Sequence, residues 1–122
     1  MKIEIMTLIL ALIQVESGGN DKAVGDNGKA YGCLQIHKEY VADVAWASGL
    51  PYSHDEAFDR QKSIDMFMIY MSVYATKGRL NREPTAQDMA RIHNGGPNGW
   101  KKPSTLDYWK KVEAILNANT SL

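Results

Sequence analysis

The sequence predicts a mainly α chain of α+β type: a buried central helix, several helices packed on it and one small β-ribbon. Three observations predict this. Apolar residues recur at helical spacing in five separate stretches. A single segment dense in glycine, residues 18 to 32, interrupts them. The 122 residues, 44% hydrophobic and 23% charged, fit one ordinary folded domain over 1–122 with one core.

The elements follow in order. From Ile3 to Val15, Ile5, Leu8, Ile9 and Leu12 fall on one helical face and Met6, Leu10 and Ile13 fill the other. A helix apolar nearly all round is expected to be buried all round. Ser17-Gly18-Gly19-Asn20 ends it, because glycine takes the left-handed exit conformation. Ala23-Val24 and Tyr31 to Ile36 then flank the turn Gly25-Asp26-Asn27-Gly28, which fits a hairpin. So many glycines are too costly for a helix. Val41, Val44, Ala45 and Trp46 form a short helix closed by Gly49-Leu50-Pro51. Ile64, Phe67, Met68, Met71 and Tyr74 form a longer one ending at Lys77-Gly78. Thr85 and Asp88 resemble a capping arrangement for a helix that stops at Asn94-Gly95-Gly96-Pro97. Ser104 and Thr105 start the last helix, with Tyr108, Trp109, Val112, Ile115 and Leu116 on its apolar side. Most aromatic and methionine side chains are expected in the core.

Composition excludes several classes. Lys+Arg and Asp+Glu are both 14, so no net charge recruits nucleic acid or an anionic membrane. Residues 1–60 hold nine acids and five bases, residues 61–122 the reverse, which reads as attraction between halves. One cysteine, Cys33, makes no internal disulfide, and with three scattered histidines it offers no zinc spacing. No metal and no cofactor are expected. Gly28-Lys29 imitates the end of a phosphate loop, but Ala23 and Ala30 stand where glycine and Ser/Thr belong. The apolar run after Lys2 imitates a secretory leader. It lacks a small-x-small cleavage site, carries Glu4, and is too short for a membrane span.

Three places can carry chemistry. Glu16 closes an apolar helix, where burial and the helix C-terminus both disfavour an ionised carboxylate. A carboxylic acid kept protonated is what a general acid requires. Against this stands the ordinary solvated glutamate at a helix exit. Asp26 lies in the tight turn, where an aspartate commonly bonds its own backbone. A ribbon folding back would set it across from Glu16, as the second carboxylate of glycoside hydrolysis. The stretch Arg91-Ile92-His93-Asn94-Gly95-Gly96-Pro97-Asn98-Gly99-Trp100 offers amides for sugar hydroxyls and a flat ring for a pyranose face. A helix cap and turn would also explain it. Cys33 and His37 read as a structural thiol and a surface residue at a helix start.

Taken together, these segments resemble the lysozyme-like superfamily, in particular its lytic-transglycosylase-type and invertebrate-type lysozyme domains. Ala11 to Asn20 is similar to the family's catalytic helix end, with a glutamate before Ser-Gly. Gly32-Cys33-Leu34-Gln35-Ile36 is similar to its Gly-x-x-Gln-Ile segment. Ala90 to Gly99 resembles the Ile-His-Asn-Gly-Gly-Pro segment of invertebrate-type lysozymes. The resemblance implies a lysozyme-like fold whose cleft binds the glycan strand of peptidoglycan. It implies cleavage of the β-1,4 bond between N-acetylmuramic acid and N-acetylglucosamine. It makes Glu16 the general acid and Asp26 the second catalytic carboxylate, with Gln35, His93, Asn94 and Gly95 binding substrate. The alternatives are a lytic transglycosylase forming 1,6-anhydro products, and a glycan-binding or virion structural domain without activity.

The chain departs from that pattern in two ways. Invertebrate-type members are rich in disulfides, whereas this chain has one cysteine, which favours a bacterial or phage member over a secreted animal protein. His93 stands where transglycosylases have tyrosine. The expectation is a monomer acting on the cell wall, made without a cleavable signal in the host cytoplasm and released at lysis.

Overall fold

The computed structural model describes residues 3–120. The chain divides into two compact units, one formed by the segment up to Val15 with that from Tyr74 onward, the other by Glu16–Val73. Among the described residues its elements are helical apart from one two-stranded antiparallel sheet. Met1 and Lys2, on which the leader reading partly rests, lie outside the described residues.

Helix α1, Ile5–Ser17, buries Leu8, Ile9, Ala11, Leu12 and Ile13, as the spacing requires. It is not buried all round. Met6 and Leu10 are 44% and 54% exposed, and with Gln14 they make an outward i, i+4 row. Isolated apolar side chains are tolerated on a surface, so an all-apolar sequence does not by itself dictate full burial.

In the first unit, the expected stop at Lys77-Gly78 is a start instead. Thr76 caps a one-turn helix α4, Lys77–Leu80, accepting from the Arg79 N–H, and Gly78 lies inside it. This unit also contains α5, Ala86–Gly95, and α6, Leu106–Thr120. The cap at the start of α5 is a full box: Thr85 Oγ1 accepts from the Asp88 N–H, and the Asp88 carboxylate accepts from the Thr85 N–H. The Arg82 guanidinium donates to both oxygens of the buried Asp88. Among the described residues of α6, Val112 and Leu116 are buried and Tyr108, Trp109 and Ile115 half-buried. Short 3₁₀ turns at Gly99–Lys101 and Pro103–Thr105 link α5 to α6.

The Asp88 box makes a testable statement about acid. Burial alone would raise its carboxyl, but the Arg82 guanidinium, the Thr85 N–H and the Thr85 hydroxyl outweigh burial and hold it below the usual range. The unfolded chain therefore binds this proton more readily than the folded one. The stabilisation is fully present above the unfolded value, about 4, and is lost as pH falls through the folded one. Asp88→Ala is expected to lower Tm by about 4 °C at pH 7, the scale of one lost cap. Melts at pH 7, 4 and 2.5 should show that difference shrinking with acid.

The second unit holds the ribbon, a 3₁₀ turn at His54–Phe58, and helices α2, Lys38–Ser48, and α3, Arg60–Tyr74. Strands β1, Val24–Gly25, and β2, Ala30–Tyr31, pair with Val24 opposite Tyr31 and Gly25 opposite Ala30. Tyr40, Val41 and Val44 are buried on α2, and left-handed Gly49 closes it. Trp46, expected on the apolar side, is 83% exposed. It stands two residues past Val44, and positions i and i+2 do not share a helix face. Met68 is exposed for a related reason, since Ser63, Met66, Phe67, Tyr70 and Met71 form the buried stripe of α3. Tyr40 and Tyr70 stack with centroids 3.7 Å apart, and Tyr31 stacks on both His54 and Phe58. Gly32 is required for two reasons. Its φ is +83°, and a Cβ there would stand 1.8 Å from the Ala57 carbonyl oxygen.

Candidate active site

Glu16 sits half-buried in the last turn of α1. The helix ends where expected, at Gly18 and Gly19, both left-handed. Its end is pinned from two sides. The Ser17 hydroxyl donates to the Cys33 carbonyl at 2.9 Å. Arg60 donates from Nη2 to the Gly19 carbonyl and from Nε to Asp21. Tyr40 is the neighbour that sequence reasoning missed. Burial first, then Tyr70 and the Glu16 charge, push its phenol well above the usual range, so it keeps its proton.

Asp26 opens a turn in which three successive residues are left-handed: Asp26 at φ 50°, Asn27 at 56° and Gly28 at 86°. The Lys29 N–H donates to the carbonyls of Gly25 and Asp26 and closes the turn. Asp26 does not bond its own backbone with its side chain. Its Oδ2 instead lies 3.3 Å from Nε2 of His37, the N-cap residue of α2. His37 is at a helix start, as expected, but it is a partner and not a bystander. A cavity of about 530 Å³ opens here, lined by Asp26, Lys29, Tyr31, His37, Lys38 and His54 among others.

Gln35 holds the ribbon that carries Asp26. Its φ is +52°, and its Nε2 donates to the carbonyls of Ala23 and Gly32. Its Oε1 lies against Gly25, where a Cβ would come within 2.2 Å of it. Both amide N–H groups are thus spent on backbone, and Gln35 has none left to donate to a sugar. Cys33 is fully buried, and burial pushes its thiol up despite opposition from Arg60. That environment disfavours a thiolate nucleophile.

His93, Asn94 and Gly95 lie in the other unit, at the C-terminal end of α5. His93 is buried and Asn94 exposed. Gly95 is committed to packing. A Cβ there would fall 2.5 Å from the Thr105 methyl, and Lys102 Nζ donates to its carbonyl. Arg91 Nε donates to Thr105 Oγ1, which donates in turn to the Gly99 carbonyl, so the loop is strapped to its helix. The Trp100 ring has the Arg82 guanidinium 5.8 Å and the Lys101 ammonium 5.5 Å from its centroid. Among the described residues, no three His, Cys, Asp or Glu side chains are placed to hold a metal, and no helix is long and apolar enough to cross a membrane.

Comparison with known proteins agrees with this arrangement of elements. A family model described as Destabilase matches residues 7–115. The lysozyme of Magallana gigas is 65% identical over 105 residues, 83% of this chain and 72% of that protein. The lysozyme of Ostrea edulis is 34% identical over 90 residues, 71% of this chain, which spans 62% of the Ostrea protein's length. The crystal structure of Tapes japonica lysozyme superposes with a TM-score of 0.75 at 28% identity, covering 89% of this chain and 88% of that one.

Proposed function

Because this chain belongs to the Destabilase family, that of the invertebrate-type lysozymes, and is a glycoside hydrolase of the lysozyme type, we propose that it cuts the glycan strand of peptidoglycan with Glu16 and Asp26. The bond is the β-1,4 linkage between N-acetylmuramic acid and N-acetylglucosamine. Glu16 gives its proton to the glycosidic oxygen as the bond to the anomeric carbon breaks. Asp26 meets the positive charge that develops on the sugar, as nucleophile or as electrostatic partner. Glu16, now a carboxylate, takes a proton from the incoming water, which restores the acid and leaves a free reducing end.

The observation that supports this reading is the contrast between the two carboxylates. Glu16 is half-buried on a pinned helix end, whereas Asp26 is 58% exposed and faces a histidine beside a cavity. Two carboxyl groups in unlike environments are what acid and nucleophile roles need. The test is loss of turbidity from purified cell walls on addition of the protein. Walls left intact by folded protein overturn the reading.

A further inference from the structure

We propose that His37 is the positioning residue for Asp26, holding its carboxylate in the orientation that the cleavage reaction uses. This rests on the catalytic reading of Asp26 given above. Asp26 is the first of three successive left-handed residues, a conformation that Asp, Asn and Gly supply in tight turns. The turn fixes where the side chain begins, but its outer torsion needs a partner. Among the described residues, the side chain that faces the Asp26 carboxylate is His37, with Nε2 3.3 Å from Oδ2.

His37 is suited to this by what it does not do and by what lies behind it. It occupies the N-cap of α2, yet its side chain makes no cap hydrogen bond there. The backbone leading into it is tightly held. Tyr31 and Ile36 exchange both N–H to carbonyl bonds, and the Ile36 carbonyl also meets His54 Nε2 at 2.7 Å. The His54 ring in turn stacks on Tyr31, centroids 3.6 Å apart. His37 therefore stands at the end of a fixed strut aimed at the turn. Other charged groups face the same cavity: Lys29 from the turn, Lys38 and Glu39 from α2, and His54 from its 3₁₀ turn. They border the pair without entering it.

Asp26 and His37 are 58% and 42% exposed, so the contact contributes little to folding. Its consequence is instead expected in the rate, since small displacements of a reacting group are costly. The test is a double-mutant cycle on purified peptidoglycan. His37→Ala is expected to lower kcat about fivefold, the upper range for an exposed pair, with KM and Tm nearly unchanged. His37→Gln, which keeps an N–H donor, should recover part of that loss. In an Asp26→Asn background, His37→Ala should change kcat no further. An equal loss in both backgrounds, or no loss in either, overturns the role of His37 while Asp26→Asn remains slow. Wild-type kcat in Asp26→Asn removes the catalytic assignment of Asp26 itself, and this proposal with it.

Discussion

Glu16→Gln is expected to reduce cleavage of purified peptidoglycan by at least about a hundredfold while Tm and glycan binding stay close to wild type. The size follows from the chemistry, since general acid catalysis is worth on the order of 10²–10⁴ in rate. The amide keeps the shape and one hydrogen-bond acceptor of the acid, but has no proton to give to a leaving oxygen. The fold should tolerate it, because Glu16 is only half-buried and the helix end is secured by other groups. Ser17 bonds Cys33, and Arg60 bonds Gly19 and Asp21. Nor does the Tyr40 phenol offer a substitute, because burial and Tyr70, which the substitution leaves in place, hold its proton. Rate and melting temperature measured on one preparation check the claim. Retention of more than a tenth of wild-type activity would remove Glu16 as the acid.

What the sequence made legible was decided by short-range physics. The left-handed exit at Gly18-Gly19, the glycine stop of α2 and the Thr85–Asp88 box are set within a few residues, and each lies where spacing and turn chemistry put it. The ribbon was legible for the same reason. What was not legible depends on partners distant in sequence. His37 stands eleven residues beyond Asp26, and nothing local aims one at the other. The left-handed φ of Gln35 has no signal in its residue type, and neither does the hold of its amide on the carbonyls of Ala23 and Gly32. Burial of α1 was overread because an apolar side chain is permitted on a surface, as Met6 and Leu10 show. The roles proposed for Glu16 and Asp26 rest on resemblance to a family, because periodicity and composition contain no record of chemistry.

Asp26→Asn decides between the two reactions open to Glu16, and wild-type protein is expected to hydrolyse. In hydrolysis Asp26 meets the developing positive charge, and water ends the reaction with a free reducing sugar. In the alternative, Glu16 acts alone, and the muramic acid 6-hydroxyl closes on its own anomeric carbon. That product is an anhydro sugar roughly 18 mass units lighter, because no water is added. The structure favours an active aspartate on one ground. The Asp26 carboxylate is not spent on its own backbone and lies 3.3 Å from His37 beside a cavity, which leaves it available to a bound sugar. Removing that charge is expected to slow the reaction about a hundredfold, the scale on which loss of one preorganised electrostatic group is felt in an active site. The folded state should scarcely notice, since the side chain is 58% exposed and its contact with His37 is open to solvent. Mass spectrometry of released muropeptides supplies the second reading: reducing-end products from the wild type, and the same products, slowly, from the variant. Anhydro products from the wild type, together with near-normal rates in Asp26→Asn, would assign the reaction to Glu16 alone and return Asp26 to the turn.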